Sequence, residues 1–326
     1  MSDTTPDLSL IVLGYRNFQR HTQRCLESLL PWEADPRFEF LVIDNGSPDD
    51  SAAQTQAWCG KHDKFRAIPS DCNLGFAGGM NLGAQQARGR WLLLVNNDTL
   101  FPAGALDALH RVLQDAEGDV AMIGPVTNAA GNGQRLWLPD RNEHELLNIG
   151  VQLMTNPTGI LIPTYRTDFF CVAIRADTWR QLGGLDTGFG LGYYEDFDFS
   201  LRLSQAGYRQ MITEDVFIVH TGSASFQGSK EAKALLKRNK ALLKSRHPDV
   251  RFEHVREGNL AVLEAYHHLV AEQRWSTELQ ARQCLRLPAL KAEAPRSFLK
   301  RLMWKQRCRA FGKETNHTPR SFFPAE

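Results

Sequence analysis

The chain has 326 residues, 42% of them apolar and 23% charged, which suffices for one large core or two ordinary ones and excludes disordered, collagen-like and disulfide-scaffold classes. Its longest apolar runs, such as Trp91–Val95, stop far short of the roughly 18 residues of a membrane span, the first seven residues carry no basic or apolar signal region, and six scattered cysteines form no C-x-x-C pair, so a reducing, cytoplasmic compartment is expected. The net charge of +1 hides an asymmetry: residues 1–226 hold 17 Lys+Arg against 27 Asp+Glu, whereas 227–326 hold 21 against 10, which divides the chain into an acidic region and a basic one.

Leu8–Leu13 is a β-branched and leucine-rich run ending at Gly14, as a strand buried on both faces would. Asn17 is then expected to cap a helix carrying Phe18, Cys25, Leu26 and Leu29 at helical spacing, stopped by Pro31. A second unit repeats this, with a strand over Phe38–Ile43, a turn at Asp44-Asn45-Gly46, and a helix capped by Ser47 with Pro48 at its first position and Asp50 in a capping box. A third strand covers Phe65–Ile68, a glycine-rich turn (Gly75, Gly78, Gly79, Gly83) opens a helix through Ala87, and Arg90–Val95 is the fourth strand. This alternation predicts a parallel sheet wrapped by helices.

A helix around Leu106, Leu109 and Leu113 and a short strand at Val120–Ile123 follow. From Gly124 to Thr167 the periodicity fades among Pro, Gly and Asn, so substrate-holding loops and short strands are expected there. Phe169–Ile174 reads as a strand, Asp177 as the cap of a helix over Thr178–Leu182, and Phe197–Ala206 as a helix closed by Gly207. Lys230–Arg246 reads as a helix with seven Lys and Arg, and Arg296–Lys313 combines seven basic groups and no acid with Phe298, Leu299, Leu302, Met303, Trp304 and Phe311. That last segment suits either an anionic membrane surface or packing on the catalytic domain with a solvated basic face.

In doubly wound sheets ligands sit beyond the carboxyl ends of the strands, where Asp44-Asn45 and Asn96-Asn97-Asp98 both fall. Each acid either begins a turn or holds ribose, base or a diphosphate-bound cation. The loop Asn73–Gly83 could turn backbone N–H groups toward phosphate, although its glycine spacing is neither the dinucleotide fingerprint nor a P-loop. Glu195, Asp196 and Asp198 follow the glycine and aromatic stretch Gly188–Tyr194; helix-dipole complementarity accounts for one acid, and three behind a glycine segment better suit a general base or a cation site. His220, after the strand-like Val216–Val219, is either a metal ligand or structural.

Taken in order, Val42-Ile-Asp-Asn-Gly-Ser47, Asn73-Leu-Gly-Phe-Ala-Gly-Gly-Met-Asn81, Leu94-Val-Asn-Asn-Asp-Thr99, Gly183-Gly-Leu-Asp186 with Tyr194-Glu-Asp-Phe-Asp198, and Arg238-Asn239 before Pro248 resemble family 2 glycosyltransferases of the inverting GT-A type, especially the rhamnosyltransferase-like branch that builds bacterial surface polysaccharides. The resemblance, over about residues 8–250, implies an α/β fold with a Rossmann-like, mostly parallel sheet flanked by helices in residues 1–226, followed by a basic, mainly helical region at 227–326. It implies that Asp44 reads a pyrimidine base and that Asn73, Gly75, Gly79, Asn97 and Asp98 line the nucleotide-sugar donor, dTDP-rhamnose or a UDP-hexose. Asn96-Asn97-Asp98 then corresponds to the D-x-D element with Asn in place of its first acid, so a divalent Mn or Mg ion rests on Asp98 and His220. Asp196 corresponds to the general base, with Glu195 its neighbour or substitute. The implied acceptor is a glycan or lipid-linked saccharide, which favours peripheral contact with the inner membrane face. The competing readings are a sugar nucleotidyltransferase, whose basic glycine-rich loop Gly14-Tyr-Arg-Asn17 does not supply, and a catalytically silent carbohydrate-binding or scaffold protein. No nucleic-acid recognition motif accompanies the basic charge.

Overall fold

The computed structural model describes residues 5–222, 230–250, 255–272 and 276–313. Four strands, β1 (Leu8–Gly14), β2 (Phe38–Asp44), β3 (Phe65–Pro69) and β4 (Trp91–Asn96), pair in parallel in the order β3-β2-β1-β4. Along β1 the residues alternate between two cores: Leu8, Leu10 and Val12 enter one, and Ile11 enters the other. A strand covered on both faces needs that nearly continuous apolar run, and its one polar residue, Ser9, is satisfied by donating to Glu39 on β2. The sheet continues through β8 (Cys171–Arg175), antiparallel to both its neighbours, then β6 (Val120–Val126), β9 (Arg209–Phe217) and the edge strand β7 (Leu161–Pro163), giving eight strands in all. A second, two-stranded sheet joins β5 (Thr99–Leu100) to β10 (Val219–His220).

The helices α1 (Thr22–Leu29), α2 (Ser51–Cys59), α3 (Gly75–Gln86), α4 (Ala105–Gln114), α5 (Glu143–Thr155), α6 (Ala176–Leu182) and α7 (Glu195–Gln205) connect these strands. Three starts differ from expectation. The first helix begins at Thr22, because Arg16 and Asn17 take left-handed backbone conformations (φ 61° and 52°) and the loop amides find partners in the second unit. Arg16 N donates to Ser47 Oγ, Asn17 N to Asp49 Oδ2 and Phe18 N to Ser51 Oγ. Ser47 is thereby engaged outside any helix, α2 begins only at Ser51, and Asp50 makes no capping hydrogen bond. At α6, Arg175 rather than Asp177 occupies the cap position.

The stretch from 124 to 167, expected to be loops and short strands, contains the 13-residue α5. Its start is a full capping box: Glu145 N donates to Asn142 Oδ1 (3.0 Å) and Asn142 N donates to Glu145 Oε2 (2.8 Å). Leu146, Ile149, Gly150, Leu153 and Met154 form its buried face.

Beyond His220 the described chain is helical: α8 (Lys230–Arg246), α9 (Val255–Ala271), α10 (Thr277–Ala292) and α11 (Phe298–Lys313). The expected division between residues 226 and 227 falls outside the described residues. One apolar core joins Val126, Ile212 and Phe217 to Leu260, Leu263, Leu290 and Trp304. Buried charge fixes the same contact: Arg286 pairs with Glu214, and Arg282 with Asp215, whose carboxylate also accepts from Thr158 N (2.6 Å), Thr158 Oγ1 (2.7 Å) and Gly159 N (2.6 Å). Charges taken out of water persist only when paired and hydrogen-bonded in this way.

Candidate active site

Register brings the functional ends together. Gly14 pairs with Asp44, and Leu13 with both Ile43 and Asn96, so Asp44 and Asn96 end the two parallel strands that flank β1, at the same carboxyl edge of the sheet. Asp44 is buried, and its carboxylate accepts from Ser47 N (3.0 Å) and Ser47 Oγ (2.7 Å). These two bonds from one residue fix the carboxylate at the strand end while leaving it acceptor capacity.

The amides that open the glycine loop find partners within the protein. Leu74 N donates to Asn45 Oδ1 (3.1 Å), Gly75 N to Asn73 Oδ1 (2.9 Å) and Phe76 N to the Leu191 carbonyl (3.2 Å). The first amides of α3 are therefore occupied by protein rather than presented to phosphate. Gly75 has φ +71°, and a Cβ there would lie 2.2 Å from the Gly190 carbonyl oxygen, so only glycine permits this approach. Gly79 serves close packing as well, since a Cβ on it would stand 2.4 Å from Leu13 Cδ1. Gly75 and Phe76 thus meet the Gly188–Tyr194 segment, while Asn73 and Gly79 pack the start of α3 against Asn45 and Leu13 at the carboxyl edge of the sheet.

Asp98 and His220 are 122 positions apart in sequence and meet through the small sheet. Thr99 pairs with His220, and Thr221 N donates to the Asp98 carbonyl (2.9 Å), leaving His220 Nε2 3.3 Å from Asp98 Oδ1. The other ring nitrogen, Nδ1, is 2.8 Å from the Ala129 carbonyl, which can only accept, so Nδ1 carries hydrogen and Nε2 faces the carboxylate. The ring stacks on Phe170 at 5.2 Å and 15°. Burial draws the imidazole pKa down, but the bond and charge of Asp98 outweigh it and the net shift is upward. A carboxylate and an imidazole nitrogen converging on one point suit a divalent cation. Among the described residues no group of three or more His, Cys, Asp or Glu could hold a metal ion. Asn97, next to this pair, donates to Thr22 Oγ1 (2.9 Å).

The three acids of α7 separate sharply. Asp198 is spent on structure: it accepts from Arg202 Nε (2.7 Å) and faces His247 Nε2 (2.9 Å). Glu195 is buried and its Oε2 has no hydrogen-bond partner among the described residues. Burial, with the neighbouring Asp196 charge adding to it, raises its carboxyl to about 8 and so favours the neutral acid. Asp196 is half-buried and accepts from Phe197 N (2.8 Å). Burial raises its pKa too, opposed by the charge of Arg166, whose guanidinium lies over the Phe197 ring at 5.4 Å and pairs with Asp168 at 2.7 Å. Arg166 and Asp168 lie at the end of the expected loop region and at the strand that follows it, and neither was singled out in the sequence.

The segment before α7 is held from α8. Asn239, fully buried, directs Nδ2 at the carbonyls of Phe189 (2.8 Å), Gly192 (2.8 Å) and Tyr193 (3.0 Å). Arg238 donates to the Gly188 carbonyl (3.0 Å), and Arg246 pairs with Asp186 while lying over the Phe189 ring. The basic charge of this helix is thus partly a clamp.

A mixed sheet with a polar strand edge, a carboxylate–imidazole pair beside it and a braced segment opening on paired carboxyls defines a GT-A glycosyltransferase fold. The chain belongs to glycosyl transferase family 2, whose family model matches residues 9–174. It is 22% identical over 170 residues to glycosyltransferase GlyG of Streptococcus pneumoniae, covering 49% of this chain and 56% of that one. It is 25% identical over 232 residues to the N-acetylglucosaminyl-diphospho-decaprenol L-rhamnosyltransferase of Mycobacterium tuberculosis, covering 61% and 71%. Among solved structures it shares its fold with a Pyrobaculum calidifontis mannosyltransferase in complex with GDP-Man and Mn2+ (TM-score 0.53, 17% identity, 97% of this chain and 84% of that one). The chain spans 31% to 62% of the length of three curated relatives it matches.

Proposed function

We propose that the chain is an inverting glycosyltransferase that moves a sugar from a pyrimidine nucleotide-sugar, dTDP-rhamnose first and a UDP-hexose second, to a hydroxyl of a glycan or lipid-linked saccharide in surface-polysaccharide synthesis. The observation that carries the reading is a pair of adjacent carboxyls directly behind the Gly188–Tyr194 segment: Glu195 is buried with no partner for Oε2 among the described residues, while Asp196, also raised by burial, keeps partial solvent contact and the opposing charge of Arg166. A nearby cation opposes the cost of ionising a buried carboxyl and so keeps it available as a base. The relatives add support, since one is a rhamnosyltransferase.

In this reading Asp44 accepts from the base of the nucleotide, Asn97 and Asp98 face its diphosphate, and Asn73, Gly75 and Gly79 shape the wall that joins donor and acceptor sides. Asp98 and His220 hold a divalent ion, Mn or Mg, which when bound offsets the charge of the leaving diphosphate. Asp196 takes the proton of the acceptor hydroxyl as it attacks the anomeric carbon from the face opposite the leaving group, and a single displacement inverts that centre. The braced Gly188–Tyr194 segment excludes water from the acceptor oxygen.

Calorimetry with dTDP, UDP and GDP tests the donor class. Binding of dTDP or UDP that disappears in Asp44→Ala is expected; tight binding of GDP alone contradicts the pyrimidine assignment.

A further inference from the structure

The basic helix α11 has two unlike faces. Trp304 and Cys308 lie in the core shared with α10, and Trp304 Nε1 donates to the Leu290 carbonyl at 2.9 Å, so this side is fixed to the protein. At 100° per residue the opposite side carries Phe298, Leu299, Leu302 and Met303, which are 79%, 70%, 48% and 62% exposed. Four large apolar side chains in adjoining positions on one helix face are unusual for a surface that meets only water. Lys300 and Arg307 border this strip on one side, Lys305 and Arg309 on the other, all exposed, and no acid occurs from Phe298 to Lys313.

We propose that α11 docks the protein on an anionic lipid bilayer, with Phe298, Leu299, Leu302 and Met303 in the headgroup layer and Lys300, Arg301, Lys305, Arg307 and Arg309 at the lipid phosphates. This goes beyond the catalytic reading and does not depend on it. The charge decides between occupants. A second copy meeting this face by a two-fold axis would set five cations against five, whereas an anionic surface complements all of them. Each basic side chain near such a surface strengthens partitioning by about fivefold, and salt screens that part of the attraction. Among the described residues no helix is long and apolar enough to cross a membrane.

Sedimentation of the full chain with vesicles provides the test. Binding to phosphatidylglycerol–phosphatidylcholine vesicles is expected at low salt, at least tenfold weaker on pure phosphatidylcholine and falling as salt rises. The exposed-face variant L299E/M303E and the border variant K300E/K305E should each bind at least tenfold more weakly, with thermal melting and nucleotide binding unchanged because neither pair lies in the core. Failure of the full chain to bind anionic vesicles, equal binding by L299E/M303E, or binding indifferent to lipid charge overturns the proposal. A wild-type dimer in solution that L299E/M303E converts to monomer overturns it in favour of self-association.

Discussion

Asn239 Nδ2 lies 3.0 Å from the Tyr193 carbonyl oxygen, and this contact spans 46 positions to hold a backbone that would otherwise relax. Tyr193 and Tyr194 have φ of 71° and 76°, a left-handed conformation that bulky residues adopt only when their surroundings impose it. The two tyrosines immediately precede Glu195, so the strain is stored where the carboxyl pair must be aimed. Asn239→Asp keeps the size of the side chain but replaces a donor with an acceptor facing three carbonyls. It should be at least as damaging as Asn239→Ala, with turnover down by about 10–100-fold, acceptor KM raised and donor binding retained. Steady-state kinetics beside nucleotide calorimetry check this, and wild-type turnover in Asn239→Asp contradicts it.

The Asp98–His220 pair predicts cation binding that needs both side chains. Manganese titration followed by electron paramagnetic resonance, with a nucleotide diphosphate present, should show affinity falling at least about tenfold in Asp98→Ala and in His220→Ala. Full transfer activity in excess EDTA would show that this pair does not serve a metal.

Glu195 makes a prediction about stability. Its carboxyl is raised from the ordinary value of 4.5 to about 8 in the fold, so between those values the unfolded chain is ionised while the folded one keeps the proton. Stability from this group is full below the lower value and is lost as pH rises through the upper one. Glu195→Gln removes that loss, and the variant should gain on the wild type as pH rises from about 5 to 8, by on the order of 2 kcal/mol at the upper end. Urea unfolding across that range measures it; a difference independent of pH contradicts the buried-acid account.

The buried pair Arg286–Glu214 ties α10 to β9. Arg286→Met leaves Glu214 buried without its cation and should destabilise the whole chain by about 3–5 kcal/mol. Denaturant unfolding should move as one transition, because the core beneath α10 includes sheet residues. Loss of helical signal alone, with the sheet unaffected, contradicts a shared core.

The parallel half of the sheet was legible because β1, β2 and β4 are buried on both faces and therefore carry nearly continuous apolar runs, broken only by Ser9 and Glu39, which hydrogen-bond to each other, and by the polar strand ends. The helix α5 was legible in principle: Asn142 and Glu145 form a capping box and the buried positions follow helical spacing, but Pro, Gly and Asn around it masked the period. Local signals also placed Asp44 at a strand end, Asp98 just past the fourth strand, and Glu195 and Asp196 at a helix start, and the structure has them there, Asp98 in the turn between β4 and β5. What no local signal carries is pairing across the chain. The contact of Asp98 with His220 depends on two strands of two residues each, and the close approach of Gly75 to Gly190 depends on two loops from different units. Arg166 and Asn239 acquire their partners only through tertiary packing, so neither could be assigned a role from its neighbours in sequence.

The proposed base is tested most directly by transfer kinetics on Asp196→Asn beside Glu195→Gln, using the nucleotide-sugar identified by calorimetry. Asn keeps nearly the shape of Asp but cannot accept the acceptor proton, so turnover should fall by roughly 10²–10⁴ with donor binding unchanged. Glu195→Gln, which replaces an already neutral acid, should retain more of its activity. In the wild type the acidic limb of the pH–rate profile should sit above the ordinary aspartate range, because burial raises the Asp196 pKa and the base must be ionised to work. An active Asp196→Asn enzyme together with a dead Glu195→Gln enzyme would contradict the assignment and exchange the two roles.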